Sequence, residues 1–343
     1  MEYDWSSLDE LRTTYLEGTA GQGDYWASDE LLRGYDVTFA RRIAWKWHHV
    51  FRDLAGVSWT PPAGAVYDWG CGTGVAAREF LTAYPGAGLT GVSLHDRSRR
   101  AVGFASAAVR REFPDMPVIA AEPEGPFTLL ISHVVTELKE AGMAELLKLA
   151  ERAAAVVWVE PGTSVASAQL VKAREALRES FYPIAPCLHR NRCGLLAEGH
   201  ENDWCHFFAT PPPEVYTDRD WRQFGQIMGI DLRSLPLSYL VLDRRPPVDP
   251  PAGAVRILGK HRLYKGHALL DACDEGRQVV IWINAIGRLG VQANIVSLDL
   301  DVFSFINTVF EINRIGHRCH FDQVKTLTET CIGIIKTVLH RER

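Results

Sequence analysis

The chain has 343 residues, of which 47% are apolar and 23% charged, and its net charge at pH 7 is -5. This composition is typical of a globular protein with one large domain or two ordinary ones. The negative charge predicts that any contact with nucleic acid comes from a local basic patch. No run of about 18 apolar residues occurs, so we expect no membrane span. The acidic, aromatic amino terminus resembles neither a signal peptide nor a transit peptide.

The first sixty residues are predicted to form an N-terminal helical region. Apolar residues recur there at helical spacing, with basic residues between them. The apolar positions are Phe39, Ile43, Trp47, Val50, Phe51 and Leu54, and the basic positions are Arg41, Arg42, Lys46 and Arg52. We interpret this region as a helical cap packed on the next domain. The alternative is that its basic face contacts RNA.

Strands and helices alternate after Pro61 and Pro62, and this pattern defines a second predicted domain over residues 61–180. The predicted strands cover residues 65–68, 88–96, 116–121, 127–132 and 156–160, and the predicted helices cover 75–84, 98–111, 146–154 and 166–180. Buried apolar strands that alternate with helices are typical of a parallel, doubly wound sheet. The fold class is therefore predicted to be α/β and Rossmann-like.

The glycine loop follows the first predicted strand of this domain. Asp68, Gly70, Gly72 and Gly74 are spaced as Asp-x-Gly-x-Gly-x-Gly, and glycines at alternate positions let the backbone turn tightly and approach a ligand. The spacing resembles motif I of class I S-adenosylmethionine-dependent methyltransferases. That resemblance implies that the loop holds S-adenosylmethionine and that Asp68 orients its ammonium group. Asp96, at the end of the second strand, is a candidate for the ribose hydroxyls, because a carboxylate accepts two hydrogen bonds.

The end of the fourth predicted strand lacks the Asn/Asp-Pro-Pro-Tyr/Phe motif of amino-group methyltransferases. Ser132 begins the corresponding segment and is a candidate for cofactor contact, and His133 and Glu137 follow it. We assign no catalytic residue from the sequence and leave open whether the protein is a methyltransferase enzyme.

Three further segments follow the predicted sheet domain. Residues 181–245 are predicted to be a cysteine-rich, metal-binding insertion together with the end of the sheet, which includes a strand at 238–242. A proline-rich linker opens a basic, β-rich unit over residues 246–284. Residues 285–343 form a divergent apolar tail to which we assign no role.

Four of the seven cysteines, Cys187, Cys193, Cys205 and Cys273, lie in the insertion and the basic unit. An odd number of cysteines without a signal peptide argues against a secreted disulfide scaffold. Thiolates select zinc or iron–sulfur clusters, yet neither of the familiar paired spacings is present. The spacing alone leaves a metal site and buried free thiols equally open. A zinc site with His189 or His206 as a ligand is one alternative.

Several of these motifs together resemble the methyltransferase-like family of ribosomal small-subunit proteins, which includes the mitochondrial small-subunit assembly factor and bacterial homologues. The segments that carry the resemblance are 67–74, 132–138, 159–163, 185–189, Cys193, 204–207, 256–259, 265–267 and Cys273. The resemblance implies that the protein binds small-subunit rRNA during assembly. It also implies that Cys187, Cys193, Cys205 and Cys273 hold a [4Fe-4S] cluster, with zinc as the alternative.

The implied cluster would gather basic residues from the insertion and the basic unit onto one RNA-binding face, because cations on a rigid surface suit phosphate contacts. These candidates are Arg190, Arg192, Arg256, Lys260, Arg262 and Lys265. The expected partners are the small ribosomal subunit and its rRNA, with neither DNA nor a membrane. The expected location is the cytoplasm of a bacterium, or the mitochondrial matrix if the chain is eukaryotic. An active rRNA methyltransferase with a structural metal site is the alternative function.

Overall fold

A central sheet organises the fold in the computed structural model, which describes residues 4–16, 26–250, 254–264, 267–274, 277–284 and 294–295. Its strands are β1 (Gly64–Trp69), β2 (Leu89–His95), β3 (Val118–Ile119), β4 (Phe127–Ser132), β5 (Ala155–Pro161), β6 (Tyr182–Ala185), β7 (Phe207–Ala209) and β8 (Leu235–Asp243). They follow the order β3-β2-β1-β4-β5-β8-β6, and β7 pairs with β8. Strands β1 to β5 are parallel, and β8 is antiparallel to both of its neighbours β5 and β6. This order is that of a class I methyltransferase, so the predicted fold class is confirmed.

Helices cover both faces of this sheet. They are α1 (Trp5–Leu16), α2 (Asp29–Val37), α3 (Phe39–Gly56), α4 (Val75–Ala83), α5 (Arg99–Glu112), α6 (Glu140–Ala150), α7 (Ser164–Leu177), α8 (Glu214–Thr217) and α9 (Arg219–Ile227). Side-chain caps fix where several of them begin, since Ser28, Ser98 and Thr163 each accept a hydrogen bond from an amide of the first turn. None of the helices that the structure describes is long and apolar enough to cross a membrane.

The alternation of residues along β5 explains why the sheet is covered on both sides. Val157 and Val159 belong to the core shared with α3, α4 and α5, while Val156 and Trp158 belong to the core shared with α6 and α7. All four side chains are fully buried. Burial of each contributes roughly 1.5–3 kcal/mol to folding. The strand is therefore apolar throughout, as the sequence predicts for a central parallel strand.

A second, smaller sheet is formed by the predicted basic unit together with one short strand of the predicted tail. It consists of β9 (Ala254–Tyr264), β10 (His267–Asp274), β11 (Arg277–Asn284) and β12 (Asn294–Ile295), in the order β11-β10-β9-β12. The backbone of Gly259 donates to the carbonyl of His206, so β9 is joined to the chain beside β7. Apart from β12, the predicted apolar tail over residues 285–343 lies outside the described residues.

Candidate cofactor and cysteine sites

The glycine loop connects β1 to α4 at the carboxyl end of the parallel strands. Gly70, Gly72 and Gly74 all have positive φ angles, at 74°, 51° and 77°. The amides of Gly70 and Cys71 both donate to the carbonyl of His95, at 2.8 and 2.9 Å, which ties the loop to the end of β2. Side chains other than glycine rarely adopt these angles, so the loop conformation depends on the three glycines.

The three glycines differ in what surrounds them. A Cβ on Gly70 would lie 2.5 Å from Cγ1 of Val134, and a Cβ on Gly74 would lie 2.9 Å from Cβ of Ala105. Among the described residues, the atom nearest to a Cβ on Gly72 belongs to the Trp26 ring, at 3.9 Å. The first and third glycines are therefore required by packing, while the second has open space beside it within the described part of the chain. Open space over a glycine backbone is what a nucleotide cradle requires, so the loop fits the cofactor that the sequence predicts.

Two carboxylates flank the loop. Asp96 accepts hydrogen bonds from the amides of Gly72 and Ser98, each at 2.9 Å, and keeps further acceptor positions for a ligand. Asp68 is fully buried and accepts from the amide of Ala77 at 3.1 Å. Its Oδ1 atom has no hydrogen-bond partner within the part of the chain that the structure describes. Burial raises the pKa of Asp68 to about 7.

The end of β4 carries a polar cluster that sequence reasoning assigned only in part. Oγ of Ser132 accepts from the indole nitrogen of Trp47 at 3.1 Å and lies 3.3 Å from Nδ1 of His133. Nε2 of the same His133 lies 3.1 Å from Nζ of Lys46, which projects from α3. His133 has a φ of 56°, a conformation that costs energy for a residue other than glycine and that clusters at functional sites.

Burial governs the protonation of this cluster. It lowers the pKa of Lys46 to about 7, with Arg42 adding to the shift. Burial, followed by the Lys46 and Arg42 cations, also lowers the pKa of His133 well below its ordinary value, which makes the imidazole neutral. A neutral imidazole nitrogen can accept the hydrogen bond that a Lys46 ammonium donates. Sequence reasoning placed Lys46 only on a basic helix face. Lys46 lies within the apolar stripe of α3, and this position in the sequence was the feature that could have predicted its burial.

Glu160 completes the cluster from the end of β5. Its Oε1 atom accepts from the amides of Val134 and Val135, both at 3.1 Å, and from the indole nitrogen of Trp158 at 2.7 Å. Its Oε2 atom has no partner among the residues that the structure describes. Burial raises the pKa of Glu160 to about 7, although these hydrogen bonds act in the opposite direction. The carboxyl therefore fixes the segment after β4, close to the glycine loop.

Three cysteines of the insertion and the basic unit lie near Cys205. Burial raises the pKa of Cys205 well above its ordinary value, and the nearby Cys187, Cys193 and Cys273 raise it further. The Arg174 side chain, only 3% exposed, donates to Sγ of Cys187 at 3.2 Å. Neighbouring thiols beside a buried cation form a soft donor set, which fits a metal centre by its chemistry.

The arrangement of these thiols is not a closed ligand set. Within the described ranges, no group of three or more His, Cys, Asp or Glu side chains is placed to hold a metal ion. Of the two histidines considered as zinc ligands, His189 lies with its Nε2 atom 3.4 Å from Sγ of Cys273. His206 instead stacks on Trp204, with ring centroids 4.6 Å apart. Of these two histidines, His189 is therefore the one seen against a cysteine thiol.

The basic residues assigned to RNA fall into two groups. Arg190, Arg192, Lys260 and Arg262 are exposed, and Lys265 lies outside the described residues. Arg256 is only 7% exposed, donates to the carbonyl of Pro186 at 2.9 Å and pairs with the Asp53 carboxylate at 2.9 Å. Its charge is neutralised inside the fold. The structure therefore corrects its placement on the RNA-binding face.

Comparison with solved structures returns methyltransferases at low similarity. One match is the plantazolicin methyltransferase BpumL in complex with pentazolic desmethylPZN analog and SAH, at 13% identity over 69% of this chain and 99% of that chain, with a TM-score of 0.39. An rRNA methylase from Streptococcus thermophilus matches at 13% identity over 57% of this chain and 94% of that chain, with a TM-score of 0.33. Because these scores are low, the fold assignment rests on the strand order. No curated protein matches the chain in sequence.

A family profile gives the more specific result. The profile described as "Mitochondrial small ribosomal subunit Rsm22" matches residues 110–284, which is just over half of the chain. The match begins near the end of α5 and ends with β11, so it includes β4, β5, the four cysteines and most of the second sheet. This chain, a ribosome-related protein of methyltransferase fold, therefore belongs to the Rsm22 family.

Proposed function

We propose that this chain is an assembly factor of the small ribosomal subunit, which binds S-adenosylmethionine in its glycine loop and small-subunit rRNA on a basic face organised by a [4Fe-4S] cluster. The observation that supports the proposal is that Cys187, Cys193 and Cys273 lie near enough to Cys205 to raise the pKa of its thiol, beside a methyltransferase sheet. The family's description supports the ribosomal partner. The site of action is the ribosome, in the cytoplasm of a bacterium or in the mitochondrial matrix of a eukaryote.

The cofactor part of the proposal rests on the open space at Gly72 and on the two flanking carboxylates. The loop backbone would hold S-adenosylmethionine, with Asp96 accepting hydrogen bonds from the ribose hydroxyls and Asp68 attracting the ammonium group. Calorimetry with S-adenosylmethionine tests this assignment. Gly72→Arg fills the open space and should abolish the binding heat. Gly103→Ala, in α5 and with no described residue within 4 Å of its Cβ, should leave the heat unchanged. Equal binding by Gly72→Arg would contradict the assignment.

The cluster part rests on the chemistry of the cysteines and of Arg174. Four thiolates around iron carry negative charge, and a buried guanidinium hydrogen-bonded to Cys187 is placed to offset it. The same Arg174 donates to the carbonyls of His189 and Asn191, each at 2.9 Å, which fixes the segment between Cys187 and Cys193. The cluster would then act as a structural staple between the insertion and the second sheet.

Protein purified without oxygen tests the cluster directly. It should be brown, with broad absorbance near about 400 nm and a matching content of iron and sulfide. Cys205→Ser should remove the colour, whereas Cys71→Ser, which changes the thiol of the glycine loop, should keep it. A colourless protein with one equivalent of zinc would overturn the cluster in favour of the zinc alternative.

The RNA part rests on the exposed cations Arg190, Arg192, Lys260 and Arg262. Replacing Arg190 and Arg192 together with alanine should weaken binding to small-subunit rRNA. The steepness of log affinity against log salt concentration should fall by about one unit for each lost phosphate contact. Arg110→Ala, which removes an exposed arginine from α5, is the matched control and should change neither. Identical salt slopes for all three proteins would contradict the assignment of this face.

A second candidate function is an active rRNA methyltransferase, and the cluster at the end of β4 favours it. A buried lysine whose pKa is lowered to about 7 can take up a proton at neutral pH, and Nζ of Lys46 lies 3.1 Å from Nε2 of the neutral His133. Transfer of labelled methyl groups to small-subunit RNA and to assembly intermediates tests this function. The absence of label from both substrates would leave the assembly factor as the function.

A further inference from the structure

Three aromatic rings form a ladder along β7 and the residues just before it. Phe207 and Ala209 are buried, while Trp204, His206 and Phe208 are more exposed and contact one another. The rings of Trp204 and His206 stack at 4.6 Å with an interplanar angle of 20°. The ring of Phe208 follows edge-on, 5.4 Å from His206. A row of rings on one side of a strand is an arrangement that can extend a stack of planar groups.

The ladder is held in place by the backbone around it. The indole nitrogen of Trp204 donates to the carbonyl of Gly162 at 3.1 Å. Gly259 donates its amide to the carbonyl of His206 at 2.8 Å and has a φ of 61°. A Cβ on Gly259 would lie 2.8 Å from Cε1 of His206, so the glycine makes room for the imidazole. A platform that is already ordered loses little entropy when a ligand stacks on it.

The position of the ladder relates it to the cofactor edge of the sheet. Gly162 comes directly after β5, the glycine loop follows β1, and Ser132 is the last residue of β4. The carboxyl ends of parallel strands lie along one edge, so the indole of Trp204 is anchored to the same edge as the glycine loop. A nucleic acid bound on the ladder would run along the edge at which the cofactor is proposed to lie.

Exposure and charge indicate what the ladder binds. Trp204 is 36% exposed, which is unusual for so large an apolar side chain. Nζ of Lys260 lies 4.2 Å from the centre of the Phe208 ring, and the residue is exposed. An exposed ring beside a cation matches the two parts of a nucleotide, since bases stack on aromatic faces while phosphates attract ammonium groups.

We infer that Trp204, His206 and Phe208 form a stacking platform for unpaired bases of single-stranded RNA, with Lys260 beside it to contact phosphate. The inference rests on the proposed RNA binding and deepens it by naming the kind of RNA. Bases within a duplex are stacked on each other and cannot lie on the ladder, so the platform selects loops, ends and unfolded segments. Such segments are available in rRNA before the subunit has folded.

The test uses the full-length protein and a short single-stranded RNA that carries 2-aminopurine, a base whose fluorescence is quenched by stacking. The unmodified chain should quench the probe. Trp204→Ala should weaken binding by about tenfold and reduce the quenching, because base stacking on one aromatic side chain is worth about 1–3 kcal/mol. Trp204→Phe keeps a ring and should retain most of the affinity. Tyr216→Ala removes an exposed aromatic side chain from α8 and should change nothing.

Each outcome decides between stacking and general RNA binding. If the unmodified chain binds the RNA without quenching and Trp204→Ala binds equally well, the platform is overturned and the proposed RNA binding stands. If Trp204→Ala loses as much affinity for duplex RNA as for single strands, the platform is also overturned. If the unmodified chain binds no RNA, both proposals fail. The quenching measurement on the unmodified chain and the Trp204→Phe variant keep the test valid if Trp204→Ala does not fold.

Discussion

The two halves of the sheet's cofactor edge are built in different ways. In the half around the glycine loop, functional contacts are local: Asp96 binds the amide of Gly72 across 24 residues, and Asp68 binds the amide of Ala77 across nine. In the half around the cysteines, Cys273 meets His189 across 84 residues, and Arg256 meets Asp53 across 203. A site built from residues close in sequence, such as the glycine loop, can be recognised as a motif. The cysteine region instead depends on the correct packing of segments that are distant in sequence. Damage to one half should therefore leave the other measurably intact.

The largest expected effect comes from the longest of these contacts. Arg256→Met removes a buried guanidinium and leaves the Asp53 carboxylate, which is 9% exposed, without its ion-pair partner. Loss of one member of a buried pair costs about 3–5 kcal/mol, so the free energy of unfolding, measured with denaturant, should fall by that amount. The double variant Asp53→Asn/Arg256→Met removes both charges and should recover much of the loss. A loss below about 1 kcal/mol in the single variant would show that the pair does not join β9 to α3.

The next effect is confined to the glycine loop. Gly70→Ala places a Cβ 2.5 Å from Val134 at a φ of 74°, so both overpacking and backbone strain oppose it. We expect a loss of about 2–4 kcal/mol and no detectable binding of S-adenosylmethionine. The absorbance proposed for the cluster should remain, since the cysteines lie in the other half. Gly103→Ala is the control for a glycine replaced in a helix. If Gly70→Ala loses the absorbance while Gly103→Ala keeps it, the two halves are coupled.

The fold was largely predictable because its signals are local. The apolar runs at 65–68, 127–132 and 156–160 lie in β1, β4 and β5, and the parallel sheet that they predict is present. The helix predicted at 146–154 instead covers Glu140–Ala150. Strand β6 was missed, because Pro183 interrupts a short segment whose strand geometry depends on pairing with β8. These errors occur where tertiary contacts, not local pattern, decide the structure.

The candidate sites were less predictable for the same reason. Asp68 and Asp96 could be proposed from their spacing after strands, and the cofactor role of both stays a prediction. The closeness of Lys46 to His133 and Glu160 could not be predicted, because nothing in the sequence shows that α3 brings a lysine to the ends of β4 and β5. Arg256 looked like a surface cation in a basic run. Its burial depends on Asp53, which the sequence gives no reason to place beside it.

The smallest expected effect is on the pH dependence of stability. Glu160 titrates at about 7 in the folded protein, against 4.5 for an ordinary glutamate. Between these values the folded protein keeps a proton that the unfolded chain releases, so the free energy of unfolding falls as pH rises from about 4.5 to about 7. Glu160→Gln does not titrate and can still accept hydrogen bonds at Oε1. It should therefore flatten this fall and raise stability at pH 8 by about 1–3 kcal/mol relative to the unmodified chain.

Lys46 gives the opposite slope at higher pH, which separates the two groups in the same denaturation experiment. Its pKa is about 7 in the folded protein against 10.5 in the unfolded chain, so stability should rise as pH increases between these values. Lys46→Met should remove this rise and leave the fall below pH 7, to which Asp68 also contributes. If the rise above pH 7 persists in Lys46→Met, the lysine is not its source and the pKa of Lys46 is not lowered to about 7. The neutral Lys46 needed by the methyltransferase alternative would then be excluded.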